Sequence, residues 1–69
     1  MRTIYKNYQV EKSRIGFLKF IFEAYGGLAV ITTLDAKKGL VRFAMAPGCI
    51  DEIGEVLKDL KRDIIINEV

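Results

Sequence analysis

Ser13-Arg14-Ile15-Gly16-Phe17-Leu18-Lys19-Phe20-Ile21-Phe22-Glu23-Ala24-Tyr25-Gly26-Gly27-Leu28-Ala29-Val30-Ile31-Thr32-Thr33-Leu34 is the stretch that decides the fold. Its first half carries a helical rhythm, with Ser13 offered as N-cap and a helix predicted from about Arg14 to Tyr25. Gly26-Gly27 ends that helix, because glycine takes the left-handed conformation at no steric cost. Leu28 to Leu34 is then a continuous apolar and β-branched run, which predicts a strand. A helix thus hands over to a strand through two residues.

Working outward, Thr3 to Val10 reads as a first strand. Ile4, Tyr8 and Val10 share one face, with Tyr5, Asn7 and Gln9 on the other. Lys6 falls on the apolar side, which suits an edge position or a snorkelling ammonium. After Leu34, Asp35-Ala36-Lys37-Lys38-Gly39 predicts a hairpin loop with Gly39 at positive φ. Leu40 to Ala46 is the next strand, with Val41, Phe43 and Met45 on one face, and Pro47-Gly48 stops it. A second helix is predicted from Cys49 to Arg62, its apolar residues Cys49, Ile50, Ile53, Val56, Leu57 and Leu60 filling one ordinary face. Ile64-Ile65-Ile66 opens a last short strand. Gly54 in the second helix is either a point of close approach or a cost of about 1 kcal/mol.

The order is β-α-β-β-α-β. It predicts an α+β, ferredoxin-like domain: a four-stranded antiparallel sheet in the spatial order four, one, three, two, with two helices on one face. It uses nearly all of the 69 residues, so residues 1–69 are read as one domain. The opposite sheet face stays open and carries Tyr5, Asn7, Gln9, Arg42, Ala44 and part of the Leu28–Leu34 run.

Composition narrows the possibilities. The chain is 51% hydrophobic and 29% charged, a globular balance. One cysteine permits no internal disulfide, and there is no histidine and no metal-ligand spacing. A domain this small usually needs a disulfide, a metal or oligomerisation to supplement its core; self-association is the supplement left. No apolar run reaches a membrane span. The charged N-terminus does not read as a signal peptide, and the expected compartment is the cytoplasm. The net charge of +2 is split: residues 1–46 carry eight Lys/Arg and three Asp/Glu, residues 47–69 three and six.

The first helix is apolar over an arc of roughly 220°, where one packing face needs little more than 100°. Phe17, Phe20 and Ala24 are the surplus, and they predict an interface with a second copy, a homodimer or higher. Ser13, Arg14 and Gly16 at the start of this helix form a candidate anion site, where free amides and the positive dipole end meet; the plainer reading is a capped helix with a surface arginine. Gly48 and Cys49 form a similar nest before the second helix. A thiol there can be activated, although Cys49 also falls on the apolar arc, where cysteine acts as a small hydrophobe. Asp51, Glu52 and Glu55 read as solvated partners of the helix dipole. No nucleophile–base pair, phosphate loop or cofactor motif is recognised, so no enzyme and no cofactor is expected.

From Phe17 through Val30, with Thr32-Thr33-Leu34-Asp35 and Lys38-Gly39-Leu40-Val41, the chain resembles a family of short bacterial proteins catalogued only as domain of unknown function 4911. That resemblance implies no activity. Ser13-Arg14-Ile15-Gly16-Phe17-Leu18 is similar to the glycine-containing start of the first helix in ACT domains, with Ile15 where those carry proline. The likeness implies a βαββαβ module that binds amino acids or similar metabolites and pairs through its sheets or helices. The leading expectation is therefore a non-enzymatic ligand-binding or regulatory module, with a small anionic metabolite as ligand. Lys38-Gly39-Leu40-Val41-Arg42-Phe43 is similar to the core motif of RNA-recognition modules, so RNA or single-stranded DNA on the open face is the alternative; Leu40 and Arg42 stand where stacking needs rings. A structural partner subunit is the third reading.

Overall fold

The computed structural model describes residues 2–24 and 26–69. The chain runs β1 (Ile4–Val10), a 3-10 turn (Lys12–Arg14), α1 (Ile15–Ala24), β2 (Ala29–Asp35), β3 (Leu40–Met45), a second 3-10 turn (Pro47–Cys49), α2 (Ile50–Leu60) and β4 (Ile66–Glu68). The strands form one antiparallel sheet in the order β2-β3-β1-β4. This α+β arrangement is compatible with a ferredoxin-like fold, and the strand order is the one predicted. Among the described residues, no helix is long and apolar enough to cross a membrane.

Alternation along the strands builds the core. Tyr8 and Val10 on β1, Ala29 and Ile31 on β2, Val41, Phe43 and Met45 on β3, and Ile66 on β4 are buried. Leu18 and Phe22 of α1, with Ile53 and Leu57 of α2, cover them from one side. Phe43 meets the Tyr8 ring edge-on at 5.0 Å between centroids and the Phe22 ring at 5.1 Å, a geometry that places each ring's positive edge near another's negative face. Lys6 is half-buried on β1 beyond the last β1–β4 pair, which runs only from Tyr8 to Val10.

Several boundaries differ from those predicted. Ser13 does not cap α1: it sits inside the 3-10 turn, whose N-cap is Glu11 and which has no side-chain cap hydrogen bond. The turn forms because the Arg14 amide donates to the Glu11 carbonyl at 3.0 Å. Tyr25, the predicted last residue of the first helix, lies outside the described residues. β2 is shifted by one residue at both ends, to Ala29–Asp35, and β3 stops at Met45, because Ala46 is the N-cap of the turn that Pro47 begins. α2 ends at Leu60, and Lys61 to Asp63 wind down through turns in which the Ile64 amide still donates to the Leu60 carbonyl at 2.9 Å. That bond keeps Ile64 out of the ladder. Ile65 is held instead by Glu11, whose carboxylate Oε1 accepts the Ile65 amide at 3.0 Å and whose amide donates back to the Ile65 carbonyl at 3.2 Å. β4 therefore starts at Ile66.

The hairpin loop forms where predicted, except that Asp35 is still in β2, paired with Leu40. Asp35 Oδ1 accepts the amides of Lys37 and Lys38 at 3.0 and 3.3 Å, and Gly39 has φ +69°. The Gly39 carbonyl accepts the Val10 amide at 2.8 Å, so the loop is pinned to the end of β1. A Cβ at Gly39 would collide with the Val10 carbonyl oxygen, whereas one at Gly54 would meet nothing within 4 Å. The close-approach reading of Gly54 is therefore set aside in favour of the helix-propensity cost. Gly39→Ala is expected to destabilise the fold by about 2 kcal/mol or more, and Gly54→Ala to stabilise it by about 0.5–1 kcal/mol; urea unfolding of the two variants measures both signs.

Burial raises the Tyr8 phenol above its ordinary value of 10.0, and the Glu68 charge adds to it. The fold thus favours the neutral phenol, and this contribution is intact below about pH 10 and lost as pH rises above it. Unfolding free energy is expected to fall over that alkaline range, and Tyr8→Phe to flatten the decline, as read by urea unfolding at a series of pH values.

Candidate functional site

The two helix starts do not meet. β1 and β3 pair with Ile4 against Met45 and Gln9 against Leu40. The chain therefore passes from β1 into α1 at one end of the sheet, and from β3 into α2 at the other. Ser13, Arg14 and Gly16 belong to the first end, and Gly48 and Cys49 to the second.

The first end gathers cations from three separated segments. Lys12 and Arg14 in the 3-10 turn are exposed. Lys37 and Lys38 are brought beside them by the Gly39–Val10 bond and by Gln9 Nε2, which donates to the Lys38 carbonyl at 3.2 Å. The Lys12 side chain itself packs against the Gly39 position. Lys61 and Arg62, at the end of α2, share a hollow with Glu11. Asp35 and Glu11, which also lie here, accept hydrogen bonds from backbone amides, and Asp63 adds a third carboxylate to the hollow that Lys61 and Arg62 line. α1 has no acidic residue in its first turn, so its own carboxylates do not complement the positive dipole end.

The second end has the opposite character. Asp51 and Glu52 occupy the first turn of α2 and, with Glu55, line a hollow beside Leu28 and Val56. These carboxylates already complement the dipole and oppose an incoming anion. Cys49 is the N-cap residue of α2, is half-buried, and packs against the core beside Gly48. Among the described residues, no group of three or more His, Cys, Asp or Glu is placed to hold a metal ion.

α1 presents a third feature. Only Leu18 and Phe22 are fully buried on it. Phe17 is 44% and Phe20 66% exposed, and Ala24 is exposed as well. Phe20 and Ala24, with Ile21, face Val56, Asp59 and Leu60 of α2 across a shallow groove. The single chain thus leaves the surplus apolar stripe uncovered.

The open sheet face carries Tyr5, Asn7 and Gln9 of β1, Arg42 and Ala44 of β3, and Val30, Thr32 and Leu34 of β2, as expected. Arg42 Nε donates to Asn7 Oδ1 at 3.3 Å, and its guanidinium carbon stands 5.8 Å from the Tyr5 ring centroid. Among the described residues of this face, the Tyr5 ring is the one a nucleobase could stack on, and a cation already faces it.

Sequence reasoning located each helix start but missed the convergence of Lys37, Lys38, Lys61 and Arg62 on the first one. Its only trace in the sequence is Gly39, whose positive φ permits the loop to dock on β1.

A protein-family model described as Domain of unknown function (DUF4911) matches residues 8–64. No curated protein and no solved structure matches the chain.

Exposure of the stripe has a measurable consequence. Phe20→Ser is expected to cost less than about 1 kcal/mol, while Phe22→Ala costs about 3–5 kcal/mol. Urea unfolding of the dilute variants compares the two.

Proposed function

The chain belongs to the DUF4911 family, and we propose that it is a non-enzymatic ligand-binding or regulatory module of ACT type. In this reading it works in the cytoplasm as a homo-oligomer and holds a small anionic metabolite where α1 begins. One observation carries the proposal: six cations (Lys12, Arg14, Lys37, Lys38, Lys61 and Arg62) lie at the end where α1 starts without a carboxylate in its first turn. The helix dipole favours an anion at such a start, and surrounding cations raise the local anion concentration. Arg14 supplies a planar, two-pronged donor for a carboxylate or phosphate, Ser13 a hydroxyl, and Gly16 a backbone unobstructed by a side chain, with nothing within 4 Å of its missing Cβ.

Phe17 follows Gly16 directly, so the anion site and the apolar stripe of Phe17, Phe20 and Ala24 adjoin. A ligand that orders the start of α1 acts at the rim of the surface on which a second copy would pack. Regulation follows as a coupling between ligand binding and association.

Thermal-shift measurements with inorganic phosphate, amino acids, and di- and tricarboxylates at millimolar concentration test the site. At least one probe is expected to raise the melting temperature saturably, because a ligand bound only to the folded state stabilises it. Arg14→Ala and Lys38→Ala should each weaken that response. Flat curves for every probe would remove the proposal.

A further inference from the structure

Arg42 stands in the middle of β3, on the sheet face that the helices leave open. Its neighbours on that face, Asn7 and Thr32 directly opposite and Tyr5, Gln9, Val30 and Ala44 around them, carry no charge. The guanidinium is held from β1. Its Nε–H donates to Asn7 Oδ1 at 3.3 Å, and its central carbon lies 5.8 Å from the Tyr5 ring centroid. Its Nη nitrogens donate to no group among the described residues. They form the planar fork that matches a carboxylate. Asn7 turns its oxygen to Arg42, and its Nδ2 donors likewise meet no acceptor among the described residues.

Tyr5, Asn7 and Arg42 line an open hollow of about 430 Å³ that Lys6, Glu68 and Val69 complete. Its size falls within that of small-molecule sites, about 300–1,000 Å³. Strand register sorts the charges around it. Lys6 lies opposite Phe43 and Glu68 opposite Tyr8, so both belong to the helix-covered side of the sheet, where one cation accompanies one anion. Asn67 lies opposite Gln9, and Val69, two residues on, shares its open face. On that side of the hollow, Arg42 is the one charged side chain among the described residues. The Tyr5 ring and the Val69 side chain, 62% and 66% exposed, give it apolar walls.

We propose that this hollow is a second ligand site, for a small monocarboxylate with an apolar body. The carboxylate lies on the Nη fork of Arg42 with the Asn7 Nδ2 donors beside it, and the apolar body rests between Tyr5 and Val69. Asn7 and Tyr5 already orient the guanidinium, so little freedom is lost when the ligand docks. Apolar matter closing over the pair excludes water and strengthens it. One unpaired cation suits one carboxylate, whereas a phosphodiester chain brings further charges that this face does not meet. The hollow lies across the sheet from the α1 stripe and apart from the start of α1, and the proposal rests on neither.

The probe is octanoate, followed by nitrogen–proton correlation spectra in which the Arg42 Nε–H is resolved beside the backbone amides. Millimolar octanoate is expected to shift the Arg42 Nε–H and the amides of Asn7 and Ala44 saturably, while 1-octanol, which has the tail without the charge, leaves the Nε–H in place. Arg42→Gln should weaken octanoate binding about tenfold or more, since charge-assisted hydrogen bonds are lost. Arg42→Lys, which keeps the charge and loses the fork, should weaken it less than Arg42→Gln. Arg14→Ala should leave it unchanged, so failure of this site is read separately from failure of the one at the start of α1. The proposal is overturned by the absence of a saturable shift, by shifts confined to α1, by an equal response to 1-octanol, by unaltered affinity in Arg42→Gln, or by oligouridylate moving these resonances where octanoate does not. The spectra of the unaltered chain decide this even where a variant fails to fold.

Discussion

Phe43 is the side chain on which the rest of the structure depends. It stands at the centre of β3, takes the Tyr8 ring on one side and the Phe22 ring on the other, and has no exposed surface. Those two contacts join β1, β3 and α1 in a single layer. Their geometry follows from strand register: Lys6 lies opposite Phe43 and Tyr8 opposite Val41. A slip of one residue would turn Phe43 to the open face and bring Arg42 into the core. One layer of this kind is all that a chain of this length can build. It uses only part of α1, which is why Phe17 and Phe20 remain outside.

The order of the six main elements was legible because each announces its period locally. β1 and β3 alternate cleanly, α2 has one apolar face, and Gly26-Gly27 and Gly39 take the positive φ that their positions in the sequence called for. What was not legible lies where distant residues decide a local conformation. Glu11 and Ile65 are 54 positions apart, and nothing near either predicts that their mutual hydrogen bonds delay the last strand to Ile66. Ser13 has the chemistry of a cap, but the Arg14–Glu11 backbone bond places it inside a tighter turn.

Charge shows the same division between what is local and what is assembled. Counting along the chain separates a basic stretch, 1–46, from an acidic one, 47–69. In space the division is different: Lys61 and Arg62 come from the acidic stretch yet line a hollow with Glu11, the residue that precedes the 3-10 turn leading into α1. Asp51 and Glu52 remain at the start of α2. The two helix starts were similar as motifs and differ as environments, because the antiparallel course of β1 and β3 sends them to opposite ends.

The attachment of β4 sets how the molecule breathes. Its three residues pair only with the end of β1, and Ile66 is the one side chain among them in the core. Beyond that, the segment is held by the Glu11–Ile65 clasp and by the Val69 amide donating to the Asn7 carbonyl at 3.0 Å. A segment so lightly held can peel away while the Phe43 layer stays closed. Opening it would uncover the flank of β1 and turn the central strand briefly into a margin, so the lifetime of the clasp governs how often the inside of this small sheet is visible to proteases and chaperones.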